Sequence, residues 1–396
     1  MFRSYKFLLR LTSKQLAAIT AMLEDHRMLY NAALEERREA WRMRKVSCSF
    51  YSQDAQLKEI RAADPRYARW AFTSERATIR RLDRAFAAFF RRVKAGESPG
   101  FPRFKGHGRF DSVEWEEGSG SRWDADPHGP VTRLHLKGIG HVRVHQHRPV
   151  AGRVKTVTVK REGNRWFVIL SCADVPSQPL PATGAVVGID MGVTHFLTTS
   201  DGAHIANPRY GKVSAGALAG AQREFAKFPQ RKDRTRPQRA AGAKIAKLHL
   251  KIRRQRLDHA HKAAHALVRD HDVICHEALP IQNMTRRPKP RPVGDGTYEP
   301  NGSAAKAGLN RSINDAGWGI LLRILAAKAE SAGRMVIAVN PRYTSQRCAQ
   351  CGHVAKGNRK EEAFRCLACG HEAHADVNAA INILRAGLAR QAAQAA

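Results

Sequence analysis

Two Cys-x-x-Cys pairs stand close together in the sequence, Cys348 with Cys351 and Cys366 with Cys369, and each runs directly on into Gly-His. Turns of this kind aim backbone amides at the sulfurs, and two of them bring four thiolates into the tetrahedron that Zn2+ accepts. His353, His371 and His374 are spare, because four cysteines already fill the shell. A closed shell leaves no position for water, so the expected zinc is structural. Three acids form the second group. Asp190 ends the apolar run VVGID, Glu277 sits in the apolar run VICHEAL, and Asp376 opens the segment DVNAAINIL. An acid at the end of a buried strand costs free energy unless a metal or hydrogen-bond donors meet it. Taken singly, Asp376 also suits the first turn of a helix for purely structural reasons. Taken together, two acids at strand ends and one at a helix start can meet at one edge of a sheet. Such a cluster cannot fully ionise without cations. Oxygen ligands favour Mg2+ or Mn2+. Two such ions can activate water and stabilise the leaving oxygen in phosphodiester hydrolysis.

The elements that must position these residues follow from periodicity. YKFLLRL reads as a first strand, and the stretch from Thr12 or Ser13 to Arg44 as a helix. A second helix is expected through SERATIRRLDRAFAAFFRRVKAG. Ser74 would cap it, Leu82, Phe86, Phe89 and Phe90 would be its buried side, and Arg76, Arg80, Arg81, Arg84, Arg91 and Arg92 would lie on the other face. From Thr132 to Ala173 short alternating strands, with a turn at EGN, predict a small antiparallel barrel or sandwich. DVPSQPLPATG reads as a linker. Beyond it, strands alternate with helices, which is an α/β pattern. AVVGIDMGVTHFLTTSDGAHI gives three strands, 214–269 a long basic helical region, VICHEAL a strand, and RRPKPRPVGDGTYEPNGSAAKAG a loop. WGILLRILAAKAESAG gives a helix, RMVIAVNP a strand, and DVNAAINILRAGLAR the last helix.

Charge says what such a site would act on. Among 396 residues, 68 Lys and Arg face 35 Asp and Glu, for a net charge of +33. That excess costs self-repulsion and calls for a polyanionic partner, with nucleic acid first and an anionic membrane surface second. No apolar run reaches the length of a membrane span, and the basic N-terminal stretch is too interrupted for a signal peptide. A cytoplasmic protein, bacterial or archaeal and associated with the nucleoid, is therefore expected. Clustered cysteines in a reducing compartment point to metal, not disulfides. Cys48, Cys172 and Cys275 read as small buried apolar residues.

The segments GIDMGVTHFLTTSDG, HEALPIQNMTR and TSQRCAQCGHV…FRCLACGHEAHADVNAAINIL resemble the three parts of a RuvC-type nuclease domain. More closely, they resemble the TnpB family of compact, insertion-sequence-encoded, RNA-guided DNA nucleases. YKFLLRLTSKQ, LYNAALEERR, RRLDRAFAAFFRR, GFPRFK and INDAGWG extend the resemblance over nearly the whole chain. The resemblance implies a fold class of α/β plus β-barrel and helical lobe. Residues 1–13 and 96–182 would form a wedge (OB-like) barrel, and 14–95 a helical recognition lobe inserted into it. Residues 183–396 would form an RNase H-like RuvC domain, with a zinc ribbon at 345–373. Carried over by motif, Asp190, Glu277 and Asp376 would bind catalytic Mg2+, and Cys348, Cys351, Cys366 and Cys369 would bind zinc. Tyr51, Phe72 and Arg76 fall near positions that read a short motif beside the target. Phe72 and Arg76 depart from the polar pair usual there.

The expected activity is RNA-guided DNA endonuclease, with a transposon-derived guide RNA and a double-stranded DNA target as partners. One site would cut both strands in turn, and the protein would hold the heteroduplex by its backbone. Arg80, Arg84, Lys244, Lys247, Arg253 and Arg254 are candidate phosphate contacts. A monomer is expected. Two alternatives stay open: a miniature type V CRISPR effector, and a catalytically silent DNA-binding regulator or transposition accessory protein.

Overall fold

Alternation decides the first strand. Tyr5, Phe7 and Leu9 point into a core while the residues between them stay partly exposed, as the twofold side-chain period requires. The computed structural model describes residues 1–124, 131–229, 234–294 and 296–395. The chain divides into two units, Met1–Pro176 and Ser177–Ala396.

The first unit contains β1 (Arg3–Arg10), α1 (Ser13–Arg44), α2 (Phe50–Ala63), α3 (Pro65–Ala68), α4 (Phe72–Lys94), β2 (Ser112–Glu116), β3 (Ser121–Asp124), β4 (Arg133–Leu136), β5 (Gly140–His145), β6 (Arg153–Glu162) and β7 (Arg165–Ala173). The strands make one antiparallel sheet in the order β2-β6-β7-β1-β5-β4-β3. Its outer strands, β2 and β3, are joined by a short turn in which Gly118 N donates to Ser121 O. The sheet therefore curls into a half-barrel around Phe7, Trp115, Leu134, Val157, Val168 and Leu170. The EGN turn is present: Glu162 pairs with Arg165, and Gly163 takes the positive φ that such a tight turn needs.

Four helices separate β1 from β2 in sequence. α1 starts as expected, with Thr12 and Gln15 forming a capping box. α4 does not. It starts at Phe72, and Ser74 lies inside it, fully buried, with its Oγ 3.0 Å from His26 Nε2. Tertiary packing has claimed the serine that the local pattern offered as a cap. Phe86 and Phe89 are half-buried, but Phe90 is 61% exposed, so it belongs to the open face and not the core. α2 was not anticipated. It buries only Phe50, Gln53 and Leu57, too sparse a stripe to read from sequence.

The second unit contains β8 (Val186–Asp190), β9 (His195–Thr199), β10 (His204–Ala206), α5 (Tyr210–Val213), α6 (Ala215–Ala226), α7 (Arg236–Asp270), β11 (Val273–Glu277), α8 (Ile281–Met284), β12 (Arg291–Pro292), β13 (Tyr298–Glu299), α9 (Ser303–Ala316), α10 (Trp318–Ala332), β14 (Met335–Val339), β15 (Arg359–Lys360), β16 (Ala363–Arg365), β17 (Glu372–His374) and α11 (Ala375–Ala395). Its main sheet runs β10-β9-β8-β11-β14. β8, β11 and β14 are mutually parallel, and β9 and β10 are antiparallel additions. The helical region expected over 214–269 is α6 and α7. Residues 230–233 between them lie outside the described residues, as does Asp295 of the expected loop. The end of that loop is helical, because α9 already begins at Ser303. The segment read as a linker is tied down by Gln178 N to Ser331 O and Leu180 N to Ala332 O. No helix among the described residues is long and apolar enough to cross a membrane.

Candidate nuclease and metal centre

β8 and β11 lie side by side in parallel, with Ile189 level with His276. One residue further on, at the same carboxyl edge, stand Asp190 and Glu277. That edge is where open α/β sheets bind their ligands. α11 packs across β8, β11 and β14. It sits unusually close, since a Cβ on Gly188 would collide with the Ala380 carbonyl and lie 2.7 Å from Leu384 N. This contact sets the height of α11, and with it Asp376 in its first turn. Asp190 lies close enough to both Glu277 and Asp376 to feel their charges. Burial and then the charges of Glu277 and Asp376 push the Asp190 carboxyl up to about 7. Burial also raises Glu277, against the Thr344 hydroxyl and Arg359, which favour its charged form. Buried carboxylates that repel one another are the donor set a hard divalent cation satisfies.

Several supporting residues escaped the sequence reading. The Thr344 hydroxyl donates to Glu277 Oε1. Arg359 Nη2 donates to Asp376 Oδ1 at 2.7 Å. Asn378 and Asn382, one helical turn apart on α11, hold the chain that leads into the first cysteine turn. Asn378 accepts from Ala349 N at 2.8 Å and donates to Arg347 O at 2.8 Å. Asn382 donates to Thr344 O at 3.0 Å and to Arg347 O at 2.7 Å. Two asparagines at i and i+4 in an otherwise apolar helix are the signal that could have found them.

The four cysteine sulfurs all lie within 4.8 Å of one another. Cys348 and Cys369 are 3.7 Å apart, and Cys351 and Cys366 are 3.6 Å apart. Gln350 N donates to Cys348 Sγ at 3.3 Å. The amides of Cys369 and Ala368 bring the Cys366 thiol down to about 6. The donor set and its backbone support fit a tetrahedral thiolate-bound ion. β15 and β16 lie in sequence between the two cysteine pairs and β17 between the second pair and α11, and the three form one small sheet. Arg359 belongs to that sheet, so the metal knuckle reaches the third carboxylate through one guanidinium. Three imidazoles stand near Asp376. His195 is 4.3 Å from His204 between ring centroids, and His204 is 4.8 Å from His374.

The residues expected to touch nucleic acid fall into two groups. Tyr51, Phe72, Arg76, Arg80 and Arg84 lie on the adjoining helices α2 and α4. Tyr51 is 80% exposed. Arg76 is held by Asp54 at 2.9 Å and lies over Phe72, and Arg80 lies over Phe50. Arg84 is exposed. Lys244, Lys247, Arg253 and Arg254 lie on α7. Lys244 is paired with Glu224 at 3.0 Å, Lys247 and Arg253 are exposed, and Arg254 is half-buried.

Residues 318–383 match the model of the "Cas12f1-like, TNB domain", 156–287 a model described as "Probable transposase", and 1–45 a "Helix-turn-helix domain". In this structure residues 1–45 hold one strand and one long helix. Over 313 residues the sequence is 36% identical to the "Putative RNA-guided DNA endonuclease InsQ" of Escherichia coli, covering 78% of this chain and 73% of that one. Over 399 residues it is 30% identical to a "Putative RNA-guided DNA endonuclease" of Streptomyces pristinaespiralis, covering 98% and 90%. The chain belongs to the TnpB family. Among solved structures, the mini-RNA-guided endonuclease CRISPR-Cas_phi3 matches with a TM-score of 0.50 and 11% identity, over 98% of this TnpB-family chain and 92% of that one. That likeness is one of fold.

Proposed function

We propose that this chain is an RNA-guided DNA endonuclease whose second unit is an RNase H-like RuvC domain. The observation that carries the reading is Asp190 and Glu277 side by side at one sheet edge, with the Asp190 carboxyl pushed up to about 7 by burial and by the charges of Glu277 and Asp376. The long relatives named as RNA-guided DNA endonucleases support it. Asp190, Glu277 and Asp376 would hold Mg2+ or Mn2+, which when bound supplies an activated water and a stabilised leaving oxygen by two-metal hydrolysis. Thr344 orients Glu277, and Arg359 orients Asp376. Cys348, Cys351, Cys366 and Cys369 would hold a structural zinc that makes 345–373 a rigid ribbon too small to build a core of its own.

In this reading the half-barrel strands of 1–13 and 96–182 form the wedge, and the helices of 14–95 form the recognition lobe. Tyr51, Phe72 and Arg76 would read the motif beside the target. Arg80, Arg84, Lys244, Lys247, Arg253 and Arg254 would meet phosphates, with sequence left to base pairing between guide RNA and DNA. The test is to sequence the RNA that co-purifies with the protein, then offer that complex a matched duplex with Mg2+. One discrete RNA and cleavage that D190N abolishes are expected. Heterogeneous RNA and no divalent-dependent cutting would overturn the reading.

A further inference from the structure

His195, His204 and His374 crowd against Asp376, yet the hydrolysis described above uses none of them. We propose that His195, His374 and Asp376 form a separate site for a borderline transition-metal ion of the Zn2+ class, and that its occupation withdraws Asp376 from the catalytic Mg2+. The proposal rests on the reading of Asp376 as a catalytic acid.

Geometry comes first. One nitrogen from each histidine and one oxygen from Asp376 all lie within 4.8 Å of one another. Bonds of about 2.0–2.1 Å in a tetrahedron set ligand atoms about 3.3 Å apart, so modest side-chain rotations close the set. The three residues come from different elements: His195 opens β9, His374 ends β17 and Asp376 opens α11. His374 and Asp376 are two residues apart, and the fold brings His195, from a distant strand, up to that local pair.

The second observation is an orphan. His195 Nδ1 is shielded from solvent and has no hydrogen-bond partner among the described residues. A buried polar atom without a partner costs free energy and asks for an explanation, and a metal ion bound through that nitrogen would provide one. His374 is only lightly committed, since its Nδ1 accepts from Asp376 N at 3.3 Å. His204 is a positioning residue. Its Nδ1 is tied to the Thr198 hydroxyl at 2.9 Å, and its ring lies against both of the proposed ligands.

Donor chemistry then separates the two sites. Mg2+ prefers oxygen and keeps its waters, whereas imidazole nitrogen suits Zn2+, Co2+ and Ni2+. Asp190, Glu277 and Asp376 offer oxygen alone; His195 and His374 offer nitrogen. Asp376 is common to both sets, and Arg359 already occupies its Oδ1. Filling one set therefore competes with filling the other.

The test uses the full chain with its cysteine site already loaded with zinc, and Co2+ as the probe. Co2+ bound by nitrogen and oxygen gives weak visible bands without the intense thiolate charge transfer of a cysteine site. The wild type and D190N are both expected to take up one such equivalent, and the H195N/H374N double variant to lack it while keeping its thiolate-bound zinc. Retention of the zinc also shows that the variant is folded. In cleavage with excess Mg2+, added Zn2+ is expected to slow the wild type about tenfold or more, and the double variant less than about twofold relative to its own zinc-free rate. Cobalt uptake that survives in the double variant would overturn the site. Equal inhibition of both proteins would overturn the competition. A wild type that binds the probe but never cuts matched DNA would count against the endonuclease reading and leave the binding result intact.

Discussion

Asp190, Glu277 and Asp376 share a problem that none of them can solve alone, because each is buried or half-buried beside the other two. D190N, E277Q and D376N are each expected to lower Mg2+-dependent cleavage of matched duplex by roughly a thousandfold or more, the several kcal/mol that metal-centred charge stabilisation supplies. T344V should cost less, about 10–100-fold, because Thr344 only orients Glu277, the proposed ligand. A T344V protein as active as wild type would remove Thr344 from the site. His26 gives a pH prediction of a different kind. Burial, first of all, lowers it from 6.5 to about 4, and its Nδ1–H donates to Met22 O at 2.8 Å. Below 6.5 the unfolded chain gains a proton that the native state refuses. Stability therefore falls as the pH drops from about 6.5 to about 4, by on the order of 3 kcal/mol in all. Urea midpoints of wild type and H26Q measured across that window should diverge, with only the wild type showing the loss from this group. The acids and cysteines were legible in the sequence because their chemistry is local to short motifs. Thr344, Arg359, Asn378 and Asn382 were not, because each takes its meaning from a partner distant in the chain.

Elements decide where those residues stand. Gly188 has no side chain, so α11 can rest on β8, and G188A must push the helix away or twist the strand. The expected cost is about 1–3 kcal/mol of stability, with a loss of cleavage larger than that destabilisation explains, read by thermal melting beside a cleavage assay. On the proposed reading the ribbon would act through Arg359, which donates to Asp376. C366S should therefore lower bound metal and cleavage together, and full cleavage with the zinc absent would sever the ribbon from the site. The run INDAGWG has a structural reading of its own. Asp315 accepts from Arg256 Nη2 at 2.6 Å and from Gly211 N at 2.8 Å, which clamps α7, α5 and α9 together. Strands and long helices were readable from their periods. The start of α4 was not, because Ser74 satisfies the local capping rule but is used by His26, and α2 was not, because it buries only two apolar residues, Phe50 and Leu57.

At the scale of the whole chain, the charge of +33 dominates binding. The affinity for nucleic acid is expected to fall linearly with salt on a log–log plot. R84A and K247A should each reduce the slope by about one while weakening all sequences alike. R76A should behave differently, because Arg76 is already paired with Asp54, and its removal reports on that pair as well as on DNA. The parallel order of β8, β11 and β14 carries one more consequence, and it concerns time. β8 cannot pair with β11 until the whole of 191–272 has been brought round, nor β11 with β14 until 278–334 has followed. The ribbon needs only the short closure from Cys348 to Cys369. Loop-closure entropy therefore lets the zinc knuckle fold early and makes the sheet edge slow. On the proposed reading the three carboxylates would come together only when nearly all of the second unit is in place, so a partly folded chain would carry metal at its cysteines before it carried any power to cut.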